Sequence, residues 1–472
     1  MSYLVYLTLI PPILLGTLLA SLLLLKTDRG NLLLVVSLGI PVGFGISACL
    51  YFLWSYFLNP AFPGFWLIEM LMIAVFSWFN WNQRGLIKTL LPDWKKWTWF
   101  DWALGFLFLV VLIAALVSFD AYTKANPHGR YDAWAIWNVR ARMIARGGGD
   151  WKSVFIPQVF HADYPLLVPL TIARSWVMAG TESQRIPPAV AGLFTFASAG
   201  ILPGALLAAG KKQTAWLAGI ILLTTPWFVY FGSLQFADLP LASCILAAGI
   251  SLAIGLVDLS QGRHWFLLAG LSAGLAAWVK NEGQLFLLVF LAVSAILALT
   301  VFRKHNFREF CVSLFSGVLL PIVVILLFKL TLAPANDVVD TGNLGQSIAQ
   351  LVSLPRYGEV INALLDYPKG FGGWAVPLPL IFVAFWFLMG PVIYKENWSA
   401  IYSLSGMLIL QWVGYFLIYV ITPHGLQTHI NQSYDRLLMH LYPTFLFFLF
   451  LLLPPIGDLL VRDQNSKDVP AV

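Results

Sequence analysis

Asp132 is the residue of this chain that is best placed to do chemistry. It lies in the charged and aromatic run Gly129-Arg130-Tyr131-Asp132-Ala133-Trp134-Ala135-Ile136-Trp137, which membrane-spanning sequence flanks on both sides. A carboxylate at the mouth of a membrane bundle could act as a general base on a lipid-borne or surface substrate. The alternative is a structural role, because an Asp at the N-cap of a helix stabilises that helix by about 1 kcal/mol.

Six further ionisable residues lie near the ends of apolar segments and could complete a site. They are Asp163, Asp238, Lys280, Glu282, His424 and Arg436. The two cations could bind a phosphate group, the arginine with paired donors and the lysine as a point charge. A divalent metal ion is a candidate cofactor, which His424, His429 and either Asp132 or Asp238 could bind. Lone histidines in a wet loop are, however, more often solvated.

Most of these residues also have a structural explanation. Asp163 could cap the helix that follows it, and Lys280 could extend its ammonium group from a helix end into water. Arg436 could pair with the adjacent Asp435, and Glu282 could pair with Lys280. Whether the residues form one site depends on which loops share a side of the membrane.

The composition indicates an integral membrane protein. Of the 472 residues, 59% are hydrophobic and only 11% are charged, whereas soluble domains carry about 25% charged residues. The net charge of +6 fits basic cytoplasmic loops rather than nucleic-acid binding. The cysteines, Cys49, Cys244 and Cys311, fall in apolar segments, so neither a disulfide framework nor a thiolate metal site is indicated.

About thirteen apolar stretches are candidate membrane spans, since roughly 20 apolar residues cross a bilayer. They cover about residues 4–25, 31–58, 65–81, 102–119, 186–208, 214–231, 239–257, 264–280, 284–302, 311–332, 372–394, 400–420 and 437–460. The chain is therefore predicted to be an all-α polytopic membrane protein. It forms a single domain over residues 1–472, with large outer loops at 120–185 and 334–371.

The apolar segment 166–180 decides the topology, because it is short for a membrane span. If it lies along the membrane without crossing, the basic clusters of the loops fall on one side throughout, as the positive-inside rule requires. If it crosses, clusters such as Lys211/Lys212 move outside. An interfacial helix is therefore predicted at 166–180. Asp132, the six other ionisable residues and the loop 334–371 then share the non-cytoplasmic face.

The first outer loop, residues 120–185, is predicted to contain a second interfacial helix. An apolar face recurs at helical spacing in Trp134, Trp137, Ala141 and Ile144, while a polar face carries Asn138, Arg142 and Arg146. The three glycines at 147–149 end this helix.

Five short segments between residues 120 and 300 form a recognisable series. They are Tyr131-Asp132 with Arg140-Ala141-Arg142, His161-Ala162-Asp163-Tyr164-Pro165, Arg185-Ile186-Pro187-Pro188-Ala189, Ala237-Asp238-Leu239-Pro240-Leu241 and Trp278-Val279-Lys280-Asn281-Glu282. In order and spacing they resemble GT-C glycosyltransferases, most closely the protein mannosyltransferase and lipid A aminoarabinose transferase group. Near the last helix, Tyr434-Asp435-Arg436 resembles a further element of that group.

This resemblance implies a GT-C-type bundle of about eleven to thirteen helices, with its site on the outer face, and it suggests roles for the residues above. Asp132 would be the catalytic base, and Asp238 a second acid on the acceptor side or in a metal site. Lys280 and Arg436 would bind the donor phosphate. The acceptor or pocket residues would be Tyr131, Trp134, Asp163, Tyr164, Glu282 and His424.

The sequence departs from the family pattern at three places. Tyr164 stands where the aminoarabinose transferase group has a Lys, so a lipid-phosphate contact there is in doubt. Ala133 stands where the family has a second carboxylate. Asn281-Glu282 replaces Gly-Pro, which suggests a branch with its own donor or acceptor.

The implied function is transfer of a sugar from a polyprenyl-phosphate donor to a lipid, glycan or protein acceptor. The expected location is a bacterial inner (plasma) membrane, with the site facing the periplasm or exterior. A transporter or lipid flippase is the main alternative, and it predicts an internal repeat and charges near mid-membrane. A diphosphate-glycan ligase or polymerase would need an outer loop rich in Arg and His, which 334–371 lacks.

Overall fold

The computed structural model of this chain is all-helical, with no strand in the residues it describes. These are residues 3–27, 29–62, 64–85, 90, 91, 95, 97–303, 306–336, 344–365, 370–374, 376, 378–390 and 397–453. The helices are α1 (Ile10–Leu24), α2 (Leu32–Phe57), α3 (Phe65–Asn82), α4 (Trp99–Ala125), α5 (Asn138–Gly147), α6 (Leu167–Ala179), α7 (Ile186–Ala208), α8 (Lys212–Thr224), α9 (Pro226–Ser233), α10 (Asp238–Val257), α11 (Gly262–Val279), α12 (Asn281–Thr300), α13 (Phe307–Thr331), α14 (Leu344–Val352), α15 (Leu354–Leu365), α16 (Leu378–Met389), α17 (Trp398–Ile421) and α18 (Leu426–Leu452). The predicted class, a helical polytopic membrane protein, is confirmed.

Nine of the described helical segments are long and apolar enough to cross a membrane. They are α2, α4, α7, α10, α12, α13, α17, α18, and α1 together with the 3-10 helix Leu4–Leu9 that leads into it. The helices α8 and α9 could form a tenth span, but they are bent by 60° at their junction. Pro226 stands at this break, and its ring cannot continue the helix that precedes it. The described residues thus carry nine or ten candidate spans, fewer than the number predicted.

The three remaining predicted spans coincide with helices that do not meet the same criterion. The helices α3 and α11 have 18 residues each, and α16 has 12. Polar residues lower the hydropathy of the first two, Glu69 and Asn80 in α3 and Arg263 and His264 in α11. The ends of the predicted spans 372–394 and 437–460 lie outside the described residues.

The helices α10 and α11 form the centre of the bundle, where small residues allow close approach. Every residue of α10 up to Leu256 is buried. A Cβ atom on Gly270 of α11 would overlap the carbonyl oxygen of Leu314 on α13. A Cβ atom on Gly283 of α12 would likewise overlap the carbonyl oxygen of Ala276 on α11. The close approach of Gly283 to Ala276 allows the tight turn between α11 and α12, where Lys280 lies.

The predicted interfacial helix at 166–180 forms as α6, but it is buried inside the protein rather than laid on lipid. Its residues from Leu167 to Trp176 are all buried, because α2, α5 and α7 surround it. Its 13 residues span about 20 Å, less than the roughly 30 Å hydrocarbon core of a bilayer. The helix is therefore too short to cross a membrane alone.

A buried ion pair holds α6 in this position. Arg174 of α6 donates from Nε to Oε1 of Glu69 on α3 at 2.8 Å and from Nη2 to the other carboxylate oxygen. Ser47 of α2 donates to the same carboxylate at 2.6 Å, and Arg174 also donates to the carbonyl oxygen of Thr8 at 2.7 Å. Both charged side chains are at most 1% exposed. Four elements are thus joined through one charge pair that the sequence motifs did not reveal.

The predicted helix of the first outer loop forms as α5, with one change at its start. Trp137, Ala141 and Ile144 share one face, as the spacing predicted, but this face is fully buried inside the protein rather than laid on the membrane interface. Trp134 is 52% exposed. Residues Ala133–Trp137 form a turn of π-helix. That turn is wider than an α-helical turn, so Trp134 lies off the face that continues into α5. The predicted end of the helix at the glycines is confirmed.

The Glu69–Arg174 pair can be tested by its effect on folding. Replacing Arg174 by Met leaves Glu69 buried without its cation, so the free energy of unfolding should fall by about 3–5 kcal/mol. The double variant Glu69→Gln/Arg174→Met should recover most of this loss, because it removes both charges together. Unfolding in detergent micelles measures both values. A single variant as stable as the wild type would show that α6 does not depend on this pair.

Candidate active site

A buried carboxylate, Asp238, collects three charged or polar side chains at one end of the bundle. It is the first residue of α10, and its side chain is 0% exposed. Its Oδ1 accepts from Lys280 Nζ at 2.8 Å and from His440 Nε2 at 2.8 Å. Its Oδ2 accepts from Arg436 Nε at 2.8 Å. Asp238 thereby joins α10, the α11–α12 turn and α18.

Arg436 links this buried carboxylate to Asp132 of the first outer loop. Its Nη2 lies 2.7 Å from Asp132 Oδ2, and the two side chains are each 19% exposed. The guanidinium group also lies over the ring of Phe236, at 4.7 Å from the ring centroid. Two structural explanations are therefore wrong. Asp132 makes no N-cap hydrogen bond, and Arg436 contacts Asp132 and Asp238 rather than Asp435.

Lys280 lies deeper than Arg436 and has two carboxylate partners. Its Nζ is 2.8 Å from Asp238 Oδ1 and 3.0 Å from Glu282 Oε1, and its side chain is 3% exposed. The predicted Lys280–Glu282 pair is confirmed. The ammonium group does not reach water, so the alternative of a snorkelling lysine is wrong. The extended backbone of Lys280, between two helix ends, directs its side chain inward.

His440 belongs to the same cluster and was not singled out from the sequence. It is fully buried on α18, and its Nδ1 lies 3.1 Å from the hydroxyl of Tyr415 on α17. One neutral tautomer satisfies both contacts, with Nε2–H donating to Asp238 and Nδ1 accepting from the tyrosine. The available signal was its spacing, because a residue four positions after Arg436 lies on the same helical face.

These six residues, Asp132, Asp238, Lys280, Glu282, Arg436 and His440, form what we call the charge cluster. It contains three carboxylates and two cations. With a neutral histidine, the cluster carries one net negative charge. All six side chains are at most 19% exposed. Five of them belong to the bundle, whereas Asp132 comes from the outer loop. The cluster is therefore most exposed at its Asp132–Arg436 edge.

Asp163 lies in a second polar cluster rather than capping its own helix. Its Oδ2 accepts from Asn281 Nδ2 at 2.6 Å and from Asn336 Nδ2 at 2.7 Å. Lys329 Nζ donates to the carbonyl oxygen of Asp163 at 2.8 Å and to Asn281 Oδ1 at 2.9 Å. The N-cap position of α6 is Leu166, which makes no side-chain bond. Long-range partners thus replace the local cap that the sequence favoured.

Arg140 fixes the turn at residues 160–164 from the opposite side. Its guanidinium group donates to the carbonyl oxygens of Phe160, His161 and Tyr164. Burial lowers the pKa of Arg140 to about 10, so it stays protonated at neutral pH. The Tyr164 ring stacks on His161, with ring centroids 4.5 Å apart. The backbone and the ring of Tyr164 are thus both held in place within the outer loop.

The rim of the outer loop carries exposed aromatic residues next to Asp132. Tyr131 is 57% exposed and packs edge-on against Trp134, with ring centroids 4.8 Å apart. Behind them, Glu182 pairs with both Arg142 and Arg146 at the far end of α5. The hydrogen bond from Arg146 holds the pKa of Glu182 below its usual value. The rim therefore offers apolar ring surface close to the base candidate.

His424 is not one of the six residues that form the charge cluster. It is exposed in the connection between α17 and α18, and its ring centroid is 5.8 Å from that of His429. The Nδ1 atom of His429 lies 2.8 Å from the Thr422 hydroxyl. Among the residues that the structure describes, no group of three or more His, Cys, Asp or Glu side chains could hold a metal ion. The predicted combination of these histidines with Asp132 or Asp238 is not formed.

Comparisons of the chain with protein-family models, curated proteins and solved structures find no match. The likeness of residues 120–300 to GT-C enzymes therefore stays a prediction that depends on short motifs. The geometry gives independent grounds for a site, because Asp132, Asp238, Lys280, Glu282 and Arg436 come from distant parts of the chain and meet at one point.

The second polar cluster should control the mobility of the outer turn. Asn281→Ala removes one donor to Asp163 and one acceptor for Lys329, and buried polar groups left unpaired cost about 1–3 kcal/mol each. Amide hydrogen exchange at residues 160–164 should therefore become at least about tenfold faster. Mass spectrometry of deuterium uptake measures this.

Gln284→Ala is the matched control for this experiment. Gln284 lies one turn further along α12, and its side-chain nitrogen has no hydrogen-bond partner among the described residues. This variant should leave exchange at 160–164 unchanged. Equal exchange in the wild type and Asn281→Ala would mean that Arg140, Lys329 and Asn336 hold the turn without Asn281.

Proposed function

We propose that this chain is a membrane glycosyltransferase with a GT-C-type bundle. It would take a sugar from a polyprenyl-phosphate donor and pass it to a lipid, glycan or protein acceptor. The observation that carries the proposal is the bridge made by Arg436, which holds Asp132 of the outer loop at 2.7 Å and buried Asp238 at 2.8 Å. A base candidate and a phosphate-binding cation are thus neighbours at the accessible edge of the charge cluster.

The reaction needs only these two kinds of group. The acceptor hydroxyl oxygen attacks the anomeric carbon while the bond from that carbon to the phosphate oxygen breaks. The bonding electron pair leaves with the phosphate, whose growing negative charge the cation stabilises. Asp132 takes the proton of the acceptor hydroxyl. Because the attack and the departure occur on opposite sides of the carbon, a single displacement inverts the configuration.

The other members of the charge cluster would position these groups. Asp238 holds the Nε edge of Arg436 and the ammonium group of Lys280, so both cations keep fixed orientations. His440 restrains the same carboxylate. Tyr131 and Trp134 supply exposed ring surface at the rim, which suits the apolar face of a sugar or the lipid next to it.

The location of the charges favours an enzyme over the transporter alternative. Transporter sites are expected near mid-membrane, at broken helices. Here Asp238 is the first residue of α10, and Lys280 lies between the ends of α11 and α12. The break between α8 and α9, at Thr225 and Pro226, carries no charge. The charge cluster therefore lies at one end of the bundle.

The length of α6 supports an orientation with this end outside the cytoplasm. A helix of 13 residues is too short to cross a bilayer of roughly 30 Å, so the basic loops can all lie on the cytoplasmic side. The site would then face the periplasm or exterior of a bacterial inner membrane. Donors carried on polyprenyl phosphate are accessible there.

The proposal is tested by transfer of radiolabelled sugar from a panel of polyprenyl-phosphate sugars to total membrane lipid and glycan. Purified wild-type protein should transfer sugar from at least one donor. The variant Asp132→Asn should lose at least about a hundredfold in rate, because an amide cannot accept the proton. Asp435→Asn is the matched control, since Asp435 adjoins Arg436 but does not pair with it, and its rate should be close to that of the wild type.

Each other outcome has a definite meaning. Transfer that survives in Asp132→Asn would exclude Asp132 as the base and direct attention to Asp238. An equal loss in Asp435→Asn would indicate a general effect of charge removal near α18. No transfer from any donor by folded wild-type protein would count against the proposal and favour the transporter alternative.

A further inference from the structure

We infer that the donor phosphate binds to Arg436 by taking the place of Asp132, so that donor binding itself releases the base. This inference deepens the proposed function and depends on it for the role of Asp132. It concerns one contact, the 2.7 Å pair between Arg436 Nη2 and Asp132 Oδ2.

Only one of the two cations can be reached from the mouth of the site. The Lys280 side chain is 3% exposed and lies between Asp238 and Glu282. The Arg436 side chain is 19% exposed. A phosphate that entered from outside would therefore meet the guanidinium group first. Lys280 would not contact the phosphate. It would attract the phosphate through its positive charge and would keep Asp238 in place through their ion pair.

The two carboxylate contacts of Arg436 differ in burial. Its Nε bonds to Asp238, whose side chain is 0% exposed, whereas its Nη2 pairs with Asp132, whose side chain is 19% exposed. Breaking the first contact would leave a buried carboxylate with one cation fewer, which is costly. Breaking the second leaves Asp132 next to water. An entering anion should therefore replace Asp132.

Arg436 cannot easily turn away to make a new contact elsewhere. Asp238 fixes its Nε edge, and the Phe236 ring lies over its plane at 4.7 Å. The planar guanidinium fork matches phosphate oxygens as well as carboxylate oxygens. A phosphate can thus occupy the position of the Asp132 carboxylate without moving the arginine.

The charge balance gives the driving force for the exchange. With neutral His440, the charge cluster has three carboxylates against two cations. A phosphate added beside the intact pairs would increase the negative charge in a poorly solvated site. Moving Asp132 out towards water removes one carboxylate from that site. The released oxygen atom, no longer bonded to Arg436, can then face the acceptor hydroxyl.

Binding of a lipid phosphate without a sugar tests this inference independently of catalysis. Undecaprenyl phosphate is titrated into the full-length protein in nanodiscs, and the dissociation constant is measured by native mass spectrometry. Asp132→Asn should bind this lipid about tenfold more tightly than the wild type, because the competing carboxylate is gone. Arg436→Gln should bind at least about tenfold more weakly. A variant expected to be inactive would thus be the better binder.

Two controls separate exchange from a general effect of charge. Asp435→Asn also deletes one carboxylate next to Arg436, but one that does not pair with it, and it should change the dissociation constant less than about threefold. Undecaprenol, which lacks the phosphate, should bind the wild type and Asp132→Asn equally. Asp132→Ser serves as a second variant if Asp132→Asn unfolds.

The outcomes distinguish the inference from the proposed function. Unchanged or weaker binding by the Asp132 variants would overturn the exchange, even if the wild type transfers sugar. An equal gain in Asp435→Asn would overturn it too, because any lost carboxylate would then suffice. Tighter binding by Asp132→Asn supports the exchange even if no sugar is transferred by the wild type.

Discussion

The buried carboxylate of Asp238 is the constraint on which the outer end of this bundle depends. A charge without solvent is tolerated only when it is paired and fully hydrogen-bonded. Asp238 therefore requires Lys280, Arg436 and His440 at one point. To supply them, α10, the α11–α12 turn and α18 must meet there. The tight turn needs Gly283, whose missing side chain allows contact with Ala276.

The outer loop is attached to the bundle through the same group of residues. Arg436, which Asp238 holds in place, also pairs with Asp132 at the start of the π-helical turn before α5. Asn281, the residue after Lys280, donates a hydrogen bond to Asp163 of the outer loop rather than to the charge cluster. Two consecutive residues thus fix both the charge cluster and the turn at 160–164. Bundle and loop are thus joined at the edge where Asp132 pairs with Arg436.

Local sequence predicts the helices and the grouping of charges on one face, but it does not predict which residues pair with each other. Apolar length predicted helices at each candidate span, and loop charges predicted that Asp132, Asp238, Lys280, Glu282 and Arg436 would share a face. The N-cap alternatives considered for Asp132 and Asp163 were wrong, because both carboxylates pair with residues more than a hundred positions away. His440 was missed since a lone histidine in an apolar helix carries no motif. Fewer described helices than predicted reach the hydropathy expected of a span, because α3 and α11 contain polar residues such as Glu69 and Arg263.

The most direct test of the account is a cryo-electron microscopy map of the protein in nanodiscs with a bound, non-transferable polyprenyl-phosphate sugar. The account predicts phosphate density within hydrogen-bond distance of the Arg436 guanidinium group, about 3 Å. It also predicts that Asp238 stays bonded to Arg436 while the Asp132 carboxylate is displaced towards the mouth. Phosphate density elsewhere on the protein, with the Asp132–Arg436 pair intact, would contradict it.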